Sequence, residues 1–178
     1  MGDISVNLSQ HEDISVSLYQ HEDISVNFPH DDLVWGDNLV ESGKDDFDTD
    51  DDKESWQVNN SNTWSVADSA LSVTYVDGDL GARIIFQAGE FGDLTTDLTQ
   101  GNTYKVSVRY KTNSAFKFRV YRGFGEDTVD SDELTSTDWA WVVLEWECVN
   151  ATGDDLRMAE FGEGDTVWID RYVVQEEL

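Results

Sequence analysis

A double run of alternating apolar and polar residues at positions 103–122 limits the folds open to this chain. The alternation runs through TYKVSVRYKT, and after the turn signal Thr112-Asn113-Ser114 it resumes in FKFRVYR. A period of two is that of a β-strand with one buried face. The stretch therefore predicts a hairpin of two neighbouring strands.

The predicted hairpin also concentrates positive charge in an acidic chain. The protein carries 38 acidic and 11 basic residues, a formal net charge of −27. Like charges on adjacent strands disfavour pairing unless anions lie close by. We therefore expect one cationic sheet face that acids of this chain or of a neighbouring subunit cover. The residues of that face are Lys105, Arg109, Lys111, Lys117 and Arg119.

Charge and hydropathy exclude two classes of partner. A net charge of −27 repels nucleic acid and anionic lipid, so we expect neither a nucleic-acid partner nor a membrane partner. No apolar run is long enough to span a bilayer, and we recognise no secretion signal after Met1. The single cysteine, Cys148, lies in an apolar run and is interpreted as a small buried hydrophobic residue.

Three copies of a ten-residue unit, DISVNLSQHE, DISVSLYQHE and DISVNFPHDD, occupy residues 3–32. Each copy predicts a strand of about six residues with few apolar groups to bury. Two interpretations fit, a small β-meander packed on its own body or an arm that pairs with neighbouring chains or docks on a partner. We favour the arm. Its assembly residues are Ile4, Val6, Leu8, Ile14, Val16, Leu18, Ile24, Val26 and Phe28.

The chain accordingly divides into the repeat arm (residues 1–32), a linker (33–37) and a body (38–178). No stretch of ten or more residues in the body shows helical periodicity, and glycine or aspartate turns separate short strands. This pattern predicts an all-β sandwich. In the strand predicted near residues 139–149, the alternation places Val142 and Leu144 in the core and points Trp141 outward.

Five segments of the body carry a family resemblance: NLVE at 38–41, LSV at 71–73, LTQGNTYKVSV at 98–108, TDW at 137–139 and VWID at 167–170. In order and spacing they resemble the jelly-roll carbohydrate-binding modules of the galactose-binding-like type, and the similar domains of phage virion proteins. The resemblance implies a jelly-roll β-sandwich behind the extended arm of three ten-residue β repeats.

The resemblance also implies candidate site residues. Members of the family often hold a structural calcium, for which Asp48 and Asp170 match the ligand positions; a solvated acidic loop is the alternative, and no other cofactor is required. Sugar-binding members use aromatic and polar groups on the concave sheet. The matching candidates are Trp141, Tyr121, Arg109 and Arg119. Alternatively, Trp141 and Tyr121 pack against another chain or the arm.

We expect no enzymatic activity, because the body has no histidine, its cysteine is interpreted as buried, and no serine lies in a nucleophile motif. The leading hypothesis is a bacteriophage structural protein on the virion surface, a capsid decoration or cement protein whose arm anchors it to capsid protein and to copies of itself. The alternative is a carbohydrate-binding module of a polysaccharide-degrading or adhesion system, with a cell-surface glycan as its partner.

Overall fold

The structure is a computed structural model that describes residues 34–44, 46–47, 55–58, 62–76, 81–89, 92–123, 127–160 and 162–178. Trp35–Leu178 form one compact unit. The arm, its nine apolar positions and Asp48 lie outside the described residues, so the predictions made for them stay predictions. Among the residues described, none belongs to a helix long and apolar enough to cross a membrane.

Ten antiparallel strands lie within the described residues of the body. They are β1 (Gln57–Val58), β2 (Thr63–Ala67), β3 (Ala70–Thr74), β4 (Ala82–Ile85), β5 (Thr103–Thr112), β6 (Lys117–Tyr121), β7 (Thr128–Asp130), β8 (Ala140–Glu147), β9 (Asp155–Ala159) and β10 (Thr166–Glu176). The first sheet has the order β1-β4-β9-β6-β7, and the second sheet has the order β2-β3-β10-β5-β8. The predicted all-β sandwich is confirmed.

The core lies between the two sheets and takes every second side chain from each. Val106 and Val108 of β5 are buried from the second sheet, and Phe118 and Val120 of β6 from the first. These side chains belong to one hydrophobic cluster. Alternation predicted these strands well because the core buries the apolar residues at every second position of each strand.

The predicted hairpin is wrong. β5 pairs with β10 and β8 in the second sheet, whereas β6 pairs with β9 and β7 in the first. Residues 113–116 therefore carry the chain from one sheet to the other. Alternation reports only which face of a strand is buried, and two strands that face each other across a core bury the same parity as two neighbours in one sheet.

The prediction of a single cationic face is also wrong, because it depended on the hairpin. Lys105, Arg109 and Lys111 lie on the outer face of the second sheet, opposite in parity to the buried residues of β5. Lys117 and Arg119 lie on the outer face of the first sheet. The five cations thus point away from each other in two groups, on opposite sides of the sandwich.

Part of the predicted linker packs on the closing strand. The N–H group of Gly36 donates a hydrogen bond to the carbonyl of Glu176 at 2.8 Å, and Trp35 forms a bridge with Glu177. The Nζ of Lys105 lies 4.4 Å from the centroid of the Trp35 ring. Residues 35 and 36 therefore belong to the body.

Three buried weak acids in the core predict a loss of stability at alkaline pH. Burial raises the pKa of Cys148 to about 12, with the Asp154 carboxylate adding to the shift, and burial also raises the pKa of Tyr104 and Tyr110. A group whose pKa is higher in the folded state contributes stability that is complete below its unfolded pKa, about 8.5 for cysteine, and is lost as pH rises towards the folded value.

We therefore expect the urea midpoint of unfolding to fall as pH rises from about 9 to about 12. A Cys148→Ala variant should show a shallower fall over the same range, because it keeps the two tyrosines and loses the thiol. A wild-type midpoint that is constant up to the top of this range would contradict the burial of these groups.

Candidate functional site

A row of polar side chains crosses all five strands of the first sheet on its outer face. The register pairs Gln57 with Arg83, Arg83 with Arg157, Arg157 with Arg119, and Arg119 with Asp130. Each residue occupies the parity opposite to the buried core positions of its strand, as Arg83 does between Ala82 and Ile84. Three arginines from three neighbouring strands are thereby aligned on one surface.

The next row brings an acid and an aromatic ring beside these arginines. Asp155 of β9 pairs with Tyr121 of β6, and both share the outer face with Arg157. The guanidinium carbon of Arg157 lies 3.7 Å from the centroid of the Tyr121 ring. Arg157 also donates from Nε and Nη2 to the two carboxylate oxygens of Asp155, at 2.5 and 2.8 Å.

This cluster is held in place by neighbours on β4 and β1. Asp155 is only 4% exposed, although its side chain points away from the core. The Nη1 of Arg83 lies 3.8 Å from Asp155 Oδ2, and its Nε donates to Oε1 of Gln57 at 2.9 Å. We call Gln57, Arg83, Tyr121, Asp155 and Arg157 the Arg–Tyr face. Its charged groups are ordered by each other before any ligand arrives.

Arg119 and Lys117 extend the same surface towards β7. Arg119 makes a bidentate pair with Asp130, both distances being 2.6 Å, and its Nη2 donates to Glu160 at 3.1 Å. Lys117 reaches the other oxygen of Glu160 at 3.0 Å. The hydrogen bonds from Arg119 hold the pKa of Asp130 below its usual range. Acids of the chain thus cover these two cations, as expected.

The outer face of the second sheet carries the other predicted residues. Trp141 is 52% exposed on β8, so its outward orientation matches the alternation, and it pairs in register with Arg109. Nη1 of Arg109 lies 3.0 Å from Asp170 Oδ2, and its guanidinium carbon lies 5.4 Å from the Trp139 ring centroid. The four predicted glycan-binding residues are therefore split between two opposite faces and do not form one site.

The residues that sequence reasoning missed on the first sheet are Gln57, Arg83, Asp155 and Arg157. Each is a polar residue on the outward parity of a short strand, which the sequence shows, but nothing local tells which strands are neighbours. Tyr121 and Arg157 are paired only by the register between β6 and β9. Strand order was the missing information.

The structure describes one of the two predicted calcium ligands. Asp170 is the extra residue of a β-bulge in β10, between Ile169 and Arg171. Its Oδ1 is buried without a hydrogen-bond partner among the described residues, and burial raises its pKa. A buried oxygen without a partner fits a cation ligand, and Asp46 forms a backbone bridge with Arg171 beside it. Asp48 lies outside the described residues, so the calcium site stays a prediction.

Comparison with known proteins identifies the fold. No family model matches the sequence, and no curated protein matches it. The structure resembles the CBM22-1 xylan-binding domain of Paenibacillus barcinonensis Xyn10C, with a TM-score of 0.51 and 13% identity over 71% of this chain and 88% of that domain. It resembles the BiXyn10A CBM1 domain to the same degree, with a TM-score of 0.51 and 15% identity over 74% and 94% of the two chains.

A third similar structure joins such a domain to an enzyme. The CBM22-1 and GH10 modules of Clostridium thermocellum endo-1,4-β-D-xylanase 10B, complexed with xylohexaose, match with a TM-score of 0.52 and 13% identity, over 79% of this chain and 28% of that one. At these identities the similarity concerns the fold alone. The jelly-roll fold shared with carbohydrate-binding modules is confirmed, and nothing in these structures bears on a virion.

Proposed function

We propose that this protein is a carbohydrate-binding module that holds a glycan chain on the Arg–Tyr face. The observation that carries the proposal is the Arg157 guanidinium, stacked 3.7 Å from the Tyr121 ring and paired through two hydrogen bonds with the nearly buried Asp155. Flat aromatic and guanidinium groups beside fixed donors and acceptors are what sugar rings and their hydroxyls require.

Preordering is the physical advantage of this face. Side chains already held by Asp155 and Gln57 lose little rotamer freedom when a ligand binds, so less of the interaction energy is lost to ordering. The two bonds from Arg157 to Asp155 leave further N–H donors on the guanidinium, and carboxylate oxygens accept more than one bond each. Sugar hydroxyls both donate and accept hydrogen bonds, so they can bind the remaining guanidinium N–H groups and the carboxylate oxygens.

The length of the polar row favours a chain over a single sugar. Neighbouring strands lie about 4.8 Å apart, so the five-strand row from Gln57 to Asp130 spans roughly 19 Å. The similar structures include a xylan-binding domain and a complex with xylohexaose. A β-1,4-linked oligosaccharide is therefore the first ligand class to test.

The role we propose is binding without catalysis. A glycosidase needs a carboxylic acid whose pKa is raised so that it can protonate the leaving group. On the same sheet, hydrogen bonds from Arg119 lower the pKa of Asp130, the opposite of what such an acid needs. The similar folds favour the carbohydrate-binding alternative over the virion hypothesis, which receives no support from them. The docking of the arm and a virion location stay predictions.

Isothermal titration calorimetry with xylohexaose, cellohexaose, mannohexaose and laminarihexaose tests the proposal. We expect binding to at least one of them, and a Tyr121→Ala variant should weaken that binding by about tenfold to a hundredfold, since a buried aromatic contact contributes roughly 1.5 to 3 kcal/mol. Arg157→Lys, which keeps the charge but loses the planar, bidentate group, should also weaken it.

Trp141→Ala is the matched control, because it removes an exposed aromatic side chain from the opposite sheet. Melting curves check that each variant folds. If Trp141→Ala abolishes binding and Tyr121→Ala leaves it unchanged, the site lies on the second sheet and the Arg–Tyr face is excluded. If none of the four hexaoses binds the wild type, the proposal fails for β-linked chains.

A further inference from the structure

A pocket of about 210 Å³ opens on the outer face of the second sheet, away from the Arg–Tyr face. Its polar and aromatic lining is contributed by Ser65, Asp68, Ser72, Lys111, Trp139 and Trp168, beside two alanines. The register aligns four of these residues across four strands, since Ser65 pairs with Ser72, Ser72 with Trp168, and Trp168 with Lys111. We call it the Trp139–Trp168 pocket.

The cation in this pocket is Lys111, held between two tryptophan rings. Its Nζ lies 4.8 Å from the Trp139 ring centroid and 5.3 Å from that of Trp168. Within the described parts of the chain no carboxylate lies within 4.0 Å of this Nζ. Every other described cation except Lys105 has such a partner. Among the described residues, Lys111 is thus a pocket cation without a carboxylate at contact distance.

The opposite end of the pocket offers hydroxyl and carboxylate groups. The hydroxyls of Ser65 and Ser72 lie 2.8 Å apart in one hydrogen bond. Asp68 lies in the two-residue turn between β2 and β3, where both it and Ser69 adopt left-handed backbone angles, with φ of 55° and 56°. Such turns match the twist of the flanking strands, so the turn fixes Asp68 at the pocket.

We propose that the Trp139–Trp168 pocket binds one sugar ring that carries a carboxylate, as a uronic acid does. The carboxylate pairs with Lys111, the ring stacks on tryptophan, and the sugar hydroxyls donate to Asp68 and exchange hydrogen bonds with the two serines. A pocket of about 210 Å³ is smaller than the roughly 300 Å³ at which sites for drug-sized ligands begin, so it suits a single ring.

This second site goes beyond the proposed function and does not depend on it, because the two faces belong to different sheets and share no residue. A glycan bearing uronic acid side groups would be one ligand for both sites. A free or terminal uronic acid would occupy the Trp139–Trp168 pocket alone.

The test uses the full chain, ¹⁵N-labelled, in about 0.15 M salt, where the Debye length of about 8 Å screens the long-range repulsion of an anion. D-glucuronate and D-glucose are the probes, since they differ at the carboxylate. The indole N–H signals are assigned with Trp139→Phe and Trp168→Phe. We expect glucuronate to shift both signals and to bind at least about tenfold more tightly than glucose, because a hydrogen bond to a charged group is stronger than a neutral one.

Lys111→Met keeps the aliphatic stem between the rings and removes the charge, so glucuronate should bind it at least about tenfold more weakly while glucose is unaffected. Tyr121→Ala should leave glucuronate binding intact, which separates this site from the Arg–Tyr face. Equal affinity for the two sugars, or glucuronate shifts confined to other tryptophans, would overturn the proposal. This comparison on the wild type is decisive even if Lys111→Met fails to fold.

Discussion

Asp154→Ala is expected to lower the free energy of unfolding by about 4 kcal/mol. The Asp154 side chain is 0% exposed, and its carboxylate accepts four hydrogen bonds. The donors are the N–H of Gly123 at 2.6 Å, Nε1 of Trp146 at 3.0 Å, and the N–H groups of Asn150 and Val149 at 3.1 and 3.2 Å. Alanine would leave these donors without their acceptor, each at a cost of roughly 1 kcal/mol or more.

The size of the effect follows from what these bonds connect. Gly123 follows β6 of the first sheet, and Val149 and Asn150 follow β8 of the second, so one carboxylate ties the ends of both sheets. It also orients Trp146, whose ring stacks on Phe86 with 4.8 Å between centroids. Losing the acceptor therefore affects the core as well as the segment that joins β8 to β9.

Urea unfolding measures the change, and two variants calibrate it. Asp154→Asn keeps one oxygen acceptor and should fall between wild type and alanine. Asp132→Ala, at an exposed acid, should stay within about 0.5 kcal/mol of wild type. A loss below about 1 kcal/mol for Asp154→Ala would mean that the carboxylate does not join the two sheets.

Much of the sandwich could be predicted because it depends on local alternation. The outward orientation of Trp141 and the burial of Val142, Leu144 and Cys148 each follow from the parity of a single strand. Parity needs no knowledge of neighbouring strands, since successive side chains must point to opposite faces. The confirmed features of the body are of this kind.

The candidate sites could not be predicted because they depend on which strands are neighbours. Tyr121 was a candidate because the family resemblance implied aromatic groups on one sheet, yet its partners Arg157 and Asp155 come from β9. Trp168 and Lys111 meet only because β10 lies beside β5. A jelly roll places strands distant in sequence next to each other, so spacing along the chain carries little information about these pairs.

The burial of two acids could not be predicted from the sequence for a related reason. Asp154 and Asp155 are consecutive acids after a glycine, a pattern typical of an exposed turn, yet both are buried. Asp154 is buried by the backbone N–H groups that it accepts from, and Asp155 by Arg157 and Arg83. Burial of a carboxylate requires partners that only the folded structure supplies.

Phe118→Ala tests the core that β6 of the first sheet shares with β5 of the second. Phe118 is 0% exposed and lies edge-to-face with Phe116 at 5.0 Å and with Tyr110 of the other sheet at 6.2 Å between centroids. Removing the ring opens a cavity between the two sheets that neither can close alone. We expect a loss of about 3 to 5 kcal/mol in the free energy of unfolding, measured by urea titration.

Phe118→Leu should cost less than Phe118→Ala, because leucine refills most of the space that the aromatic ring occupies. Val143→Ala serves as the matched control on the outer face of the second sheet, where the side chain is 53% exposed, and should change stability by less than about 0.5 kcal/mol. A loss for Phe118→Ala no larger than that of the Val143 control would contradict the burial of Phe118 between the two sheets.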